Sequence, residues 1–222
     1  MQSTANIVLY GGGALAVEAA TYLVDCGLGA RVSDVVDAKG GRQGDLQDIL
    51  GRAPHFCETI DEVEGLASKT VAICVGDPGI RWKLRKEVTG RCASLQSIVH
   101  PSAYIASSAH IGAGVVIAPF AFVGPFASVG DNVVLNVRAT IGHDVQVGAS
   151  SVISPHVDMN GHSSCGDAVL IGAGAIFSPG ARLGHFSKIA AGSILKAVVG
   201  DGHLVHGNPA SGRQMFRLPP EY

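Results

Sequence analysis

The sequence predicts a small parallel α/β unit followed by a three-sided β solenoid, and three observations lead to that fold class. Apolar strand-like runs alternate with helix-like segments up to about residue 100. From Ile105 onward, apolar residues recur at every sixth position. The 222 residues include 30 glycines and only 5% aromatics, a balance that suits tightly wound β structure with many sharp turns.

The first strand is Ile7 to Tyr10, and it runs into Gly11-Gly12-Gly13. Ala14 to Cys26 reads as a helix stopped by Gly27. Arg31 to Asp37 alternates as a second strand, and Lys39 to Gly44 is a polar, glycine-rich loop. Asp61 to Ala67 suits a short helix, and Thr70 to Val75 is a β-branched strand ending at Gly76. Pro78 opens a helix running to about Thr89. Leu95 to Val99 closes the unit as a last strand.

Cut into sixes from Ile105, the chain has sixteen units, and the first residue of each, from Ile105 and Ile111 to Ile189 and Leu195, is apolar. The fifth residue is always Ala, Val or Ser. At 47% apolar content such a run at one phase arises by chance roughly once in a hundred thousand trials. A helix, whose faces recur near 3.6, cannot produce this period. A prism can: each unit is one side, eighteen residues make a coil, the large residue fills the axis and the small one lets the wall turn. The repeats over 105–200 then give about five coils and a height of about 25 Å.

Low charge, 15% of residues against 47% hydrophobic, excludes a disordered tail. A net charge of −2 excludes a broad electrostatic footprint for nucleic acid. No apolar run reaches membrane-span length, and Met1 to Asn6 has no signal-peptide pattern, so a cytoplasmic protein with no membrane partner is expected. The five cysteines, Cys26, Cys57, Cys74, Cys92 and Cys165, form no C-x-x-C pair and read as small buried apolar residues.

The repeat is similar to the hexapeptide repeat of the left-handed β-helix acyltransferases, and the handedness is implied by that resemblance. It also implies a homotrimer with active sites between neighbouring prisms. Residues eighteen apart lie one above the other. His143 and Gly161, and Asp144 and His162, therefore make a two-by-two patch on the outside of one wall, while Asn136 and Ser154 stack on the preceding wall. An amine attacking a thioester needs a base, which a neutral imidazole supplies. The oxyanion needs a fixed donor such as a glycine N–H, and a carboxylate beside the imidazole can hold its tautomer.

The whole chain resembles the PglD/NeuD family of sugar acetyltransferases through Ile7-Val-Leu-Tyr-Gly-Gly-Gly13, His100-Pro-Ser-Ala103, Asn136-Val-Arg-Ala-Thr-Ile-Gly-His-Asp144 and Gly207-Asn-Pro-Ala210. The resemblance implies that His143 is the catalytic base, that Asp144 orients it and that Gly161 donates its N–H to the thioester oxygen. It implies an acetyl-CoA donor, no metal, and a nucleotide-linked amino-dideoxy sugar acceptor destined for bacterial surface glycans. The sequence departs from the family pattern at Leu15 and Val152, where histidines are frequent, and at Ala38, where the acidic cluster thins.

The glycine turn meets the form of a dinucleotide fingerprint, Gly11-x-Gly13-x-x-Ala16, with Asp34 and Asp37 following the second strand. Residues 1–99 are accordingly expected to be a Rossmann-like nucleotide-sugar-binding domain. Gly11, Gly12 and Gly13 would face the phosphates and Asp37 the ribose or base, with Asn136 and His162 completing the substrate set. Residues 100–222 are expected to be the acetyltransferase domain. By resemblance, Lys196 and Pro209 flank CoA, and Gly172, Ala173 and Ala191 are small enough to let its pantetheine arm pass. Rival readings are a sialic-acid-type O-acetyltransferase, a β-helix metal hydratase using His143, His162 and His185, and a binding solenoid without chemistry. UDP, GDP and dTDP all remain open as the nucleotide.

Overall fold

A computed structural model describes residues 5–91 and 93–222, which leaves the expected burial of Cys92 outside the described residues. Strands β1 (Ile7–Tyr10), β2 (Val32–Val36), β3 (His55–Cys57), β4 (Thr70–Ile73) and β5 (Ser94–Leu95) form one parallel sheet in the order β3-β2-β1-β4-β5. Helix α1 (Ala14–Asp25) buries Ala16, Ala19, Ala20 and Leu23. It ends as the sequence predicts, with Gly27 at φ +72° and Leu28 N–H donating to the Leu23 carbonyl at 2.7 Å. Helix α3 (Pro78–Gly90) starts at Pro78, and the Asp77 carboxylate caps it by accepting from Ile80 N–H at 3.0 Å.

The sequence reading differs from this part at five places. Helix α2 (Gln43–Leu50) and strand β3 were not foreseen, because α2 buries only Leu46 completely and β3 has three residues. Asp61 to Ala67 is not one helix but falls across two single 3-10 turns, Ile60–Glu62 and Leu66–Ser68. The strand expected from Thr70 to Val75 stops at Ile73. Leu95 to Val99 is not one strand: Ser94–Leu95 ends the α/β sheet, and Ile98–Val99 begins the next one. Between them Gln96 N–H donates to the Val71 carbonyl and Ile98 N–H to the Val115 carbonyl, so the chain steps from one sheet to the other.

The remainder is a three-walled prism of two-residue parallel strands whose stacking fits a left-handed β-helix. Its first wall begins at Ile98–Val99, its second at Tyr104–Ile105 and its third at His110–Ile111. Neighbouring strands on a wall are eighteen residues apart, as in Val134↔Val152 and Ile141↔Met159. The first and fifth residues of the units fill the axis, and Leu135, Ala139, Ile141, Val145, Ile153 and Val157 are all fully buried. At the corners, the fourth residue of the unit adopts positive φ. Asn132, Asp144 and His162 do so at +56°, +58° and +61°. Short polar side chains tolerate that region better than branched ones.

The repeat is longer at one end and shorter at the other than the count from Ile105 predicts. Val99 already stacks under Ile117, one unit earlier. At the far end Val199 pairs with Leu183, so the final coil has lost two residues and the last full six-residue step is the one before Leu195. An antiparallel hairpin, His203–Gly207 with Ala210–Gln214, then caps the first wall. Among the described residues, no helix is long and apolar enough to cross a membrane.

The α/β sheet and the prism share a core. Ala16, Ala19 and Leu23 of α1 pack with Val116, Val134 and Val152, the outward residues of the first wall. Arg81 of α3 is fully buried at the same junction and donates to the carbonyls of Ile73, Val75 and Asn132 and to Asn132 Oδ1, at 2.5–3.0 Å. Burial pulls the guanidinium pKa down to about 10. Replacing Arg81 with Met leaves these buried acceptors unpaired. We expect a loss of about 3 kcal/mol or more, read as a lower urea midpoint, whereas a surface role would leave the midpoint unchanged.

Candidate active site

The second and third walls meet at the corner that carries His143. The strand Thr140–Ile141 stacks on Asp158–Met159, which sets residue 143 against residue 161. The stack is confirmed by the His143 carbonyl accepting from His162 N–H at 3.1 Å. The imidazole of His143 lies directly over the α-carbon of Gly161, where an added Cβ would come within 2.4 Å of its Nε2 and Cε1 atoms. Any side chain at 161 would therefore push the ring away. The Gly161 N–H donates to no acceptor among the described residues.

Asp144 lies beside His143 with Oδ2 at 2.9 Å from Nδ1. An ionised carboxylate only accepts, so Nδ1 carries the proton and Nε2 presents its lone pair. His162 packs edge-on against His143 at a ring separation of 5.1 Å, with its Nδ1 4.0 Å from the same Asp144 oxygen. Both imidazoles are well exposed. This corner thus offers a surface base of fixed tautomer above an open backbone amide. The donor atoms of His143, Asp144 and His162 all lie within 4.8 Å of one another. His185, the third ligand of the metal reading, instead follows a strand of the third wall and accepts from Asp167 N–H at 2.9 Å.

A second feature lies at the preceding corner. A cleft of about 590 Å³ opens between the glycine turn and the first wall, lined among others by Gly11, Gly13, Asp37, Asn136 and Ser154. Helix α1 points its uncapped amino terminus into it through Gly13, Ala14 and Leu15. Neither the Asn136 amide nor the Ser154 hydroxyl has a hydrogen-bond partner among the described residues. Leu15 and Val152, two of the three departures from the family pattern, line this cleft and make part of it apolar.

Two sequence-predicted residues of the cleft have structural duties. Gly12 turns away from it: its N–H donates to Asp37 Oδ2 at 2.7 Å, and its Cα is held so close to Gly41 that neither residue has room for a Cβ. Asp37 lines the cleft, but its other oxygen accepts from Lys39 N–H at 2.8 Å, so the carboxylate clamps the loop after β2 onto the turn. Arg81 and Glu18 were not foreseen as shaping this region. Glu18 lies one turn beyond Ala14 on the helix face that lines the cleft, a position the helix reading could have supplied.

The residues expected to meet CoA fall into two sets. Ala173 and Ala191 stack on the corner of Asn136, and Gly172 shares it, with an added Cβ there meeting Ala191 N at 2.5 Å. Lys196 stands instead above Ser178 on the His143 corner. Pro209 is exposed in the hairpin turn. One chain does not bring His143 and the small-residue column to the same edge.

Comparison with solved structures matches nearly the whole length. PerB from Caulobacter crescentus, determined with CoA and GDP-perosamine, superposes with a TM-score of 0.82 at 25% identity over 95% of this chain and 98% of that one. A histidine-to-asparagine variant of perosamine N-acetyltransferase from Caulobacter crescentus, with the same ligands, gives 0.83 over 95% and 97%, also at 25% identity. The chain shares its hexapeptide-repeat fold with this sugar N-acetyltransferase over nearly its whole length. The acetyltransferase domain of PglB from Neisseria gonorrhoeae shares the fold at 23% identity, with a TM-score of 0.82 over 94% of this chain and 99% of that one. No family model and no curated protein sequence matches the chain.

In a prism built this way, the His143–Gly161 contact is open to a direct test. Gly161→Ala should displace the imidazole and break its bond to Asp144 while leaving the coil intact. Nitrogen-15 shifts of the imidazole should move toward those of a freely exchanging tautomer mixture, with an unchanged circular dichroism spectrum. Unchanged imidazole shifts would contradict the geometry.

Proposed function

We propose that the protein transfers the acetyl group of acetyl-CoA to the amino group of a nucleotide-linked 4-amino-4,6-dideoxy sugar, with His143 as general base. The observation that supports this most is the His143 imidazole fixed by Asp144 and seated over Gly161, on a fold matched end to end by a perosamine N-acetyltransferase. That enzyme was determined with CoA and GDP-perosamine, which favours N-acetylation over the O-acetyl reading.

The chemistry follows from the local geometry. The sugar amine gives up its proton to His143 Nε2 as it attacks the thioester carbonyl, and Asp144 stabilises the resulting imidazolium; the tetrahedral adduct then collapses to the amide, the carbon–sulfur bond breaks, and the departing CoA thiolate takes the proton from the imidazolium. The Gly161 N–H, free of other acceptors, is placed to donate to the oxyanion. His162 borders the same space and contacts the sugar. Attack is direct, without an acyl-enzyme. Cys165, the cysteine nearest the patch in sequence, faces the prism axis, and burial pushes its thiol up to about 12.

Residues 1–99 act as a Rossmann-like nucleotide-sugar domain and 100–222 as the acetyltransferase domain. The nucleotide occupies the cleft at the amino terminus of α1, where the uncapped helix end suits phosphate and Asn136 and Ser154 supply free polar groups. The pantetheine arm follows the small-residue column at Gly172, Ala173 and Ala191, and Lys196 and Pro209 contact the nucleotide end of CoA. Because His143 and the cleft occupy different corners of one prism, a working site joins the His143 corner of one subunit to the cleft of its neighbour, in a homotrimer.

Two experiments test this reading. His143→Ala should lower kcat by about 10²–10⁴-fold against a panel of UDP-, GDP- and dTDP-linked 4-amino sugars, with the circular dichroism spectrum unchanged. Normal turnover in that variant, or labelled acetyl retained on the wild-type protein after acetyl-CoA alone, would overturn the mechanism. Co-expression of His143→Ala with a cleft-filling Asn136→Trp chain should restore part of the activity that each variant lacks alone. Failure to recover any activity from mixed oligomers would refute a site shared between subunits.

A further inference from the structure

Away from both corners, three metal-binding side chains converge on the open edge of the α/β sheet. Asp34 is on β2, and His55 and Cys57 are two apart on the edge strand β3, so both point to one face. The register pairs Asp34 with His55 and Val36 with Cys57. His55 Nδ1 lies 3.4 Å from Asp34 Oδ1 and 3.4 Å from Cys57 Sγ, and all three donor atoms fall within 4.8 Å of one another.

The nitrogen–oxygen separation is long for a hydrogen bond, which for N–H···O centres near about 2.9 Å. The same Nδ1 also cannot donate a proton to Asp34 and at the same time accept one from the Cys57 thiol. Both separations do fit the edges of a tetrahedron around a zinc-sized ion: bonds of about 2.0–2.1 Å to nitrogen and oxygen and about 2.3 Å to sulfur place neighbouring donors roughly 3.3–3.6 Å apart. Asp34 has its remaining oxygen occupied, since Oδ2 accepts from Lys69 Nζ at 2.6 Å and from Ser33 Oγ at 2.5 Å, which leaves Oδ1 for the cluster.

We infer that Asp34, His55 and Cys57 form a binding site for a borderline divalent transition metal of the zinc class, with water in the fourth position. One thiolate, one imidazole and one carboxylate are the donor set such ions take. His55 is two-thirds exposed and provides the entry, while Asp34 and Cys57 are buried and provide the anchor. On binding, the Cys57 S–H bond breaks, the sulfur–metal bond forms and the proton leaves to solvent. The charges facing the site are Lys69, which offsets one of the two negative ligands, and Glu62, whose oxygens are engaged by Glu58 N–H and the Thr59 hydroxyl.

The site stands apart from the acetyl-transfer reading, and its test does not depend on turnover. The full-length reduced protein is titrated with Co²⁺ and followed for the thiolate-to-cobalt charge-transfer band in the near ultraviolet. One equivalent should saturate the band, and Zn²⁺ should abolish it. Cys57→Ser should remove the band. His55→Ala, a change at an exposed side chain, should weaken binding by at least about tenfold with no change in melting temperature. The His143 corner contains no thiol and cannot produce this signal. Absence of the band in folded wild-type protein, its persistence in Cys57→Ser, or unchanged affinity in His55→Ala would overturn the assignment.

Discussion

Closure of a coil every eighteen residues is the constraint on which the rest of the molecule depends. Once the large first residue and small fifth residue of each unit must face the axis, side chains at equal phase are forced into columns about 4.8 Å apart. The stacking of His143 on Gly161 and of Asp144 on His162 follows from that spacing and not from any local motif. The column also decides which residue types fit. The fourth position must turn through positive φ, and Asp144 and His162 accept it with polar side chains that end up beside the imidazole. Gly161 has no side chain because the ring of His143 already occupies that volume. A corner geometry demanded by winding thus also holds an imidazole beside an open backbone amide.

The second constraint is the docking of the α/β sheet onto one wall. Val116, Val134 and Val152 would be outward residues on a bare solenoid, yet they are buried because α1 covers them. Arg81 holds the junction without a carboxylate partner, spreading its donors over backbone carbonyls from both parts. His100 adds a peripheral tie, reaching Asp25 at the end of α1 and lying edge-on to Tyr22. With the helix pinned along the wall, its amino terminus must open beside Asn136 and Ser154. The cleft is therefore a product of packing between two units, each of which is regular by itself.

What could be read from the sequence followed the periodic part of the chain. Sixteen apolar residues at one phase specified the prism, and arithmetic on that phase put His143 against Gly161 and Asn136 against Ser154. The limits also had physical causes. Short elements such as β3 and α2 bury too few side chains to leave a pattern. The step from Leu95 to Ile98 joins two sheets in a run of residues that resembles one strand. The two-residue loss in the last coil changes no hydrophobic phase, because Val199 fits the fifth position of one unit as well as the first of the next. Pairings across the chain, such as Arg81 with Asn132 or Asp34 with Lys69, depend on tertiary docking and carry no local signal.

The placement of the candidate residues on separate corners bears on assembly. A prism with three equal edges has no reason to gather small residues at Gly172, Ala173 and Ala191 and a histidine-carboxylate pair on the next corner, unless those edges face different surroundings. One wall is already covered by α1. On the second wall, Tyr104 and Phe122 are exposed and stacked ring on ring at 5.2 Å, between Phe120 and Phe126 at the adjoining corners. Four exposed aromatics in a chain with so few of them form a surface that water disfavours. Burying that wall against a second prism would cover the aromatics and bring an edge like that of His143 toward an edge like that of Asn136. The same contact that removes apolar surface from water would then complete a two-sided cleft.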